Sequence, residues 1–93
     1  MTIFKYLLEG RQGEITAPAG ARFLHAEVVD GKVYVWALVA PHQPEKRYEF
    51  RMYWTGEDLI AMGAWGWGMD TYVGTARDPQ SGIVRHVFVD SEE

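Results

Sequence analysis

The clearest alternation of apolar and polar positions lies on both sides of Asp30-Gly31, in the stretch RFLHAEVVDGKVYVWALVA. Asp-Gly between two alternating strands is typical of a type I′ turn, because both central residues of that turn need a positive φ. The pattern therefore predicts a hairpin in which Val28 lies opposite Val33. One face of this hairpin is wholly apolar and consists of Leu24, Ala26, Val28, Val33, Val35, Ala37 and Val39.

The second face of the predicted hairpin is mixed and consists of three cross-strand pairs: Phe23 with Leu38, His25 with Trp36, and Glu27 with Tyr34. A shift of one residue would bury Glu27, so the pattern fixes the register. If the mixed face is covered, the Glu27 carboxylate needs a partner such as an arginine. If it is open, it is either a solvated sheet face or the rim of a ligand or protein site.

Further period-two runs predict the remaining strands. In KRYEFRMYW, one face is Tyr48, Phe50, Met52 and Trp54, and the other is Arg47, Glu49, Arg51 and Tyr53. IFKYLLE and GEITAP predict two strands near the N-terminus, and DTYVGTAR with IVRHVFVD predicts a second hairpin around DPQSG. Only TGEDLIAMG is typical of a helix, which allows at most one short helix near residues 56–62. The predicted fold class is all-β, a small antiparallel β-sandwich or partly open barrel of about six or seven strands.

Length and composition indicate one small globular domain. The chain has 93 residues, of which 47% are hydrophobic and 14% aromatic, enough for a single core over residues 1–93. The acidic end, residues 90–93, is expected to fray. The N-terminus has no signal-peptide pattern, and no apolar run reaches the length of about 18 residues that a membrane span needs. We therefore expect a cytoplasmic protein without a membrane partner.

Charge and residue types exclude several kinds of chemistry. The net charge is −4, and the cations are scattered, which argues against nucleic acid as a partner. The chain has no cysteine, so disulfides, cysteine-bound zinc and a thiolate nucleophile are ruled out. Its three histidines show no metal-ligand spacing, and neither serine sits in a nucleophile elbow. We expect no metal, no cofactor and no enzymatic activity.

Several short motifs occur in a fixed order along the chain: Lys5-Tyr6, Pro18 to Ala21, Leu24-His25, Trp36 to Val39, Thr55-Gly56, Tyr72 to Thr75 and His86 to Phe88. This ordered set resembles a family of small phage and prophage proteins with no assigned function. The resemblance covers most of the chain and implies a phage origin and a compact β domain. It brings no catalytic residues with it. The chain departs from the family pattern at Arg85, where a tryptophan is common, and in the segment AMGAWGWGM.

That segment places Trp65 and Trp67 two residues apart, so both indoles point the same way if the backbone is extended. They can either cover an open end of the sandwich or act as anchors at an interface, where aromatic residues are enriched. We predict a binding surface made of this segment and the neighbouring strand end: Trp65, Trp67, Met69, Tyr53 and Trp54.

The function predicted from the sequence is that of a small phage-encoded accessory protein that binds a host protein, with inhibition of a host defence component as a plausible use. The first alternative is a homo-oligomeric β module that binds or sequesters a small ligand such as a nucleotide, with Arg51 or Arg47 facing the ligand. The second is a minor structural component of the virion.

Overall fold

The computed structural model describes residues 1–59 and 71–91, and in these residues the chain forms seven β-strands. They are β1 (Thr2–Leu8), β2 (Gln12–Pro18), β3 (Arg22–Val29), β4 (Lys32–Val39), β5 (Glu45–Trp54), β6 (Tyr72–Arg77) and β7 (Val84–Ser91). Every predicted strand is present. Residues 56–59 are not helical, and the rest of the predicted helix, residues 60–62, lies outside the described residues.

The strands form two antiparallel sheets, one with the order β1-β4-β3 and one with the order β2-β5-β7-β6. The sheets pack face to face and do not close into a barrel, which confirms the all-β prediction in its sandwich form. β7 continues to Ser91, where Asp90 and Ser91 align with Glu49 and Tyr48 of β5. Within the described part of the chain, no helix is long and apolar enough to span a membrane.

The β3–β4 hairpin turns at the predicted place. Asp30 and Gly31 both have positive φ angles, 52° and 77°, as a type I′ turn requires. Val28 pairs with Val33, as predicted, and the neighbouring pairs are Ala26 with Val35, Glu27 with Tyr34, and His25 with Trp36. The alternation of the sequence therefore set the register of the hairpin next to its turn.

Beyond His25 the predicted register is wrong, because a β-bulge lies between Phe23 and His25. Phe23, and not Leu24, aligns with Ala37, and Leu24 is 44% exposed. The bulge inserts one residue into β3 and exchanges the two faces of the strand beyond it. The Phe23 ring therefore packs against the core, where it buries more apolar surface than a leucine would.

The core lies between the two sheets and is formed by alternate residues of the strands. Its buried residues include Val33, Val35, Ala37 and Val39 of β4, Tyr48, Phe50 and Met52 of β5, and Val87 and Val89 of β7. Because successive side chains of a strand point to opposite faces, Tyr34, Trp36 and Leu38 of β4 lie on the side of the sheet that faces away from the core.

Two close contacts hold the sheets in place. The Tyr48 hydroxyl donates a hydrogen bond to the Pro18 carbonyl at 3.1 Å and accepts one from the Ala21 N–H at 3.2 Å, which fixes the chain where it passes from β2 to β3. At the edge where β6 approaches β3, a Cβ on Gly74 would lie 3.3 Å from the Ala26 nitrogen. A residue without a side chain therefore lets the two backbones come close.

Candidate functional site

The outer face of the β1-β4-β3 sheet carries three cross-strand rows of side chains: Ile3–Leu38–Arg22, Lys5–Trp36–His25 and Leu7–Tyr34–Glu27. We call these nine residues the aromatic face. The central strand β4 contributes the ridge of Tyr34, Trp36 and Leu38, and the flanking strands contribute most of the polar groups. This is the mixed face of the predicted hairpin with Arg22 in the place of Phe23, and β1 extends it on its other side.

The rings of the aromatic face lie close together. The Trp36 ring is 5.8 Å from the His25 ring and 6.4 Å from the Tyr34 ring, and the Lys5 ammonium lies 4.7 Å from the centre of the Tyr34 ring. Each of these contacts lies within the range of an aromatic pair or a cation–π interaction. They hold the ring positions without covering the outer side of the sheet.

The aromatic face is open to solvent, which is the second of the two arrangements considered for the mixed face of the hairpin. Lys5, His25 and Glu27 are exposed, so the carboxylate needs no buried partner. Ile3 is 57% exposed at one margin of the face, and Leu24, in the bulge of β3, is 44% exposed. Aliphatic side chains held in water next to partly exposed aromatic rings are typical of interaction surfaces.

A second group of side chains surrounds Trp54 at the end of β5. The Arg11 guanidinium lies 4.5 Å and the Arg85 guanidinium 5.5 Å from the Trp54 ring centre. Arg11 also donates hydrogen bonds to both carboxylate oxygens of Glu57 and to the Met52 carbonyl, the latter at 3.2 Å. Trp54 is thus half-buried beneath two cations, one of which is held by a carboxylate.

The pKa of the Glu57 carboxyl is lowered by these contacts. The side-chain hydrogen bond from Arg11 is the main cause, and the hydrogen bond from the Trp54 N–H adds to it. Both bonds favour the charged carboxylate over the neutral acid. Glu57 is therefore ionised at neutral pH and keeps the Arg11 side chain next to the Trp54 ring.

The predicted binding residues of β5 do not form one surface. Arg47, Arg51 and Tyr53 face the outer side of the β2-β5-β7-β6 sheet, whereas Trp54 faces the other side. Arg47 lies 3.7 Å from the Glu14 carboxylate, and Arg51 lies 4.0 Å from that of Glu49.

Tyr53, which the sequence placed at the surface, is only 5% exposed, and its hydroxyl is buried without a hydrogen-bond partner among the described residues. The other three predicted residues, Trp65, Trp67 and Met69, lie outside the described residues. Their part in binding stays a prediction.

A chain of hydroxyl groups meets His86 on the outer side of the β2-β5-β7-β6 sheet. The Thr55 hydroxyl lies 2.7 Å from His86 Nε2, the Thr75 hydroxyl lies 3.2 Å from Nδ1, and the Tyr72 hydroxyl bonds to that of Thr75. Both ring nitrogens are thus engaged by neutral hydroxyls. In the described part of the chain, no group of three His, Asp or Glu side chains could hold a metal ion.

Sequence reasoning missed Arg11 and Glu57, which lie 46 residues apart and are joined by the fold alone. It also missed Ile3 and Leu7, since the pairing of β1 with β4 is not visible in either strand by itself. No local signal in the sequence pointed to them, because the exposure of Ile3 becomes visible only in the folded chain.

The comparisons with known proteins place the whole chain in one family. A domain of unknown function, DUF7352, matches residues 1–93. The chain belongs to the DUF7352 family. No curated protein and no solved structure matches it. Membership in DUF7352 assigns no activity to the chain.

Proposed function

We propose that this chain is a non-enzymatic accessory protein of phage origin that acts in the host cytoplasm by binding a host protein, and that the aromatic face is its contact surface. A component of host defence is the class of partner we favour. The observation that carries the proposal is a solvent-open sheet face whose central strand presents Tyr34, Trp36 and Leu38 side by side.

The residue types of the aromatic face support a protein partner. Tyrosine, tryptophan and arginine dominate the binding energy of protein interfaces, because they remove a large apolar surface from water and still offer a polar group. Tyr34, Trp36 and Arg22 bring all three to one face of a single sheet. Because these residues lie on β-strands, their side chains are held in place before binding, which lowers the entropy lost on association.

The charges of the aromatic face indicate which charges a complementary partner would carry. Lys5 and Arg22 lie on it with a single carboxylate, Glu27, whereas the chain as a whole has a net charge of −4. The face is thus locally more positive than the rest of the molecule. A complementary partner has an apolar centre bordered by acidic groups, since opposite potentials across an interface favour specific association.

The phage origin is supported by the ordered short motifs, from Lys5-Tyr6 to His86–Phe88, that resemble small phage and prophage proteins. A chain of 93 residues with one small sandwich is well suited to block a surface. Inhibition by occupying a host protein needs no catalytic group, only a rigid complementary face.

The proposal is tested by co-purification from host cells with two matched double variants. The first double variant, Ile3→Asp with Leu24→Asp, places one carboxylate on the aromatic face and one directly beside it, both at exposed positions. Gln12→Asp with Thr16→Asp puts two carboxylates on exposed positions of β2, on the outer side of the other sheet. All three tagged proteins are expressed in the host, and captured proteins are quantified by mass spectrometry.

We expect one host protein to be captured equally by the wild type and by the β2 variant. Its recovery should fall at least about tenfold with the aromatic-face variant, as for the loss of an interface anchor. Equal recovery with the aromatic-face variant would contradict the proposed surface. Sedimentation could instead show that the wild type is a stable dimer and that the aromatic-face variant is a monomer. That result would assign the aromatic face to a second copy of the chain.

A further inference from the structure

A second concave site lies at one end of the sandwich, where the β1–β2 and β3–β4 turns meet the end of β5. It is a cavity of about 410 Å³ that is open to solvent on one side. Its wall is apolar over Leu8, Val33 and Met52, and the Trp54 ring adds an aromatic surface. A volume of this size is within the range of cavities that bind small organic molecules.

The charged groups of this cavity are mainly cationic. Arg11, Lys32 and Arg85 line it, together with one carboxylate, Glu9. Arg11 is already bound to Glu57, which leaves Lys32 and Arg85 as the cations that can take a new partner. In a chain with a net charge of −4, this concentration of positive charge in a concave place favours an anion.

Arg85 is the group whose position points most directly to a ligand. Its Nη1 atom is buried and has no hydrogen-bond partner among the residues that the structure describes. A buried, unsatisfied guanidinium N–H costs free energy, which an anion bound in the cavity would recover. The Arg85 charge also acts on the Asp78 carboxyl, whose pKa is lowered mainly by the hydrogen bond from the Gln80 N–H, with a smaller contribution from Arg85.

We propose that this cavity binds a small organic anion with an apolar body, whose carboxylate or phosphate group meets Arg85 and Lys32 and whose body lies against Trp54 and Met52. The cavity opens at the end of the sandwich, whereas the aromatic face lies on the outer side of the β1-β4-β3 sheet, and among the described residues that line the cavity Leu7 alone also belongs to that face. The proposal thus extends the chain's function beyond the binding of a protein.

The test uses three probes that share one apolar body: 1-naphthoate, 1-naphthyl phosphate and the neutral 1-naphthalenemethanol. Binding is followed by NMR on the indole N–H signal of Trp54, which is assigned with Trp54→Phe. Each titration is repeated with Arg85→Gln and with Arg77→Gln. Arg77 is exposed, carries the same charge and does not line the cavity, so it serves as the matched control.

We expect saturable shifts with at least one anion and affinity at least about tenfold lower for the neutral probe, as for the loss of a charge-assisted hydrogen bond. Arg85→Gln should weaken anion binding by a similar factor, and Arg77→Gln should leave it unchanged. The ratio of the two anion affinities then identifies the preferred head group, carboxylate or phosphate.

Three results would overturn the proposal: no saturable shift at about 5 mM of either anion, a neutral probe that binds as well as the anions, or unchanged anion affinity in Arg85→Gln. If Arg85→Gln does not fold, Lys32→Gln replaces it, because Lys32 is exposed on the rim of the cavity. This variant should weaken anion binding by about threefold, and an unchanged affinity would overturn the proposal equally.

Discussion

The Phe23 ring packs edge-on against the Tyr48 ring, with 5.2 Å between the ring centroids and an angle of 74° between the planes. This contact joins β3 of one sheet to β5 of the other. It exists because the bulge in β3 turns Phe23 inward and Leu24 outward. The same shift leaves Leu24 exposed beside the aromatic face.

Replacing Phe23 by alanine should therefore destabilise the fold far more than replacing Leu24. We expect Phe23→Ala to lower the free energy of unfolding by about 2–4 kcal/mol, through the lost apolar contact and the cavity left behind. Leu24→Ala, at a position that is 44% exposed, should cost less than about 1 kcal/mol. Urea unfolding of both variants measures the difference, and the reverse ranking would show that the strand lacks the bulge.

The hydroxyl groups of Tyr48 and Tyr53 provide a second matched pair. The Tyr48 hydroxyl makes two hydrogen bonds with backbone groups, whereas that of Tyr53 is buried and has no partner within the described part of the chain. Tyr48→Phe should lower the free energy of unfolding by about 1–3 kcal/mol, because it leaves buried backbone groups unpaired. Tyr53→Phe should be neutral or stabilising by up to about 1 kcal/mol, since it removes an unsatisfied hydroxyl. A large loss of stability in Tyr53→Phe would mean that its hydroxyl is bonded.

The contact of Glu57 with Arg11 predicts a pH dependence of stability. The pKa of Glu57 is lowered in the folded chain from its ordinary value of 4.5. The contribution of this carboxylate is therefore complete above that value, and it is lost as the pH falls through the lower, folded pKa. Wild type and Glu57→Gln should differ in urea midpoint at pH 7, and the difference should be smaller at about pH 3, because the carboxylate takes up protons as the pH falls below its ordinary pKa.

Glu27→Gln is the control for this measurement, because the Glu27 carboxylate is exposed and shows no ion pair within the described residues. Its urea midpoint should stay close to that of the wild type at both pH values. A difference between wild type and Glu57→Gln that stays constant between the two pH values would show that the charge of Glu57 does not stabilise the fold.

The glycine-tryptophan segment carries a prediction of its own, made from the sequence. Trp67→Ala should weaken partner binding or self-association more than it lowers the melting temperature, if the indole serves as an interface anchor. The comparison needs the captured host protein and a thermal melt of the same variant. Unfolding of the variant at room temperature would assign the indole to the core instead.

The strands could be predicted from the sequence because their information is local. Asp30-Gly31 fixes the turn of the first hairpin, and the alternation around Val28 and Val33 fixes its register. The bulge at Phe23 could not be predicted, since Phe23 and Leu24 are both apolar and the pattern alone does not decide which of them faces the core. The bulge brings the Phe23 ring into contact with the Tyr48 ring. These two residues are 25 positions apart in the sequence, so a local pattern does not show this contact.

The candidate sites were predicted less completely, for the same physical reason. The pairs His25–Trp36 and Glu27–Tyr34 follow from the hairpin. The third strand of the aromatic face is β1 at the N-terminus, which is separated from the hairpin by β2. The group around Trp54 likewise depends on Arg11 and Arg85, which reach it from other strands and turns. Local patterns show which strands exist, and only the packing shows which of their outer residues meet.

The aromatic face as the contact surface is tested most directly by site-specific photo-crosslinking in host cells. A benzophenone amino acid replaces Trp36 at the centre of the face or, as a control, the exposed Thr16 on β2. We predict a covalent adduct with a host protein from position 36 and none from position 16. An adduct from position 16 alone, equal adducts from both positions, or an adduct from position 36 that contains only a second copy of this chain would contradict the account.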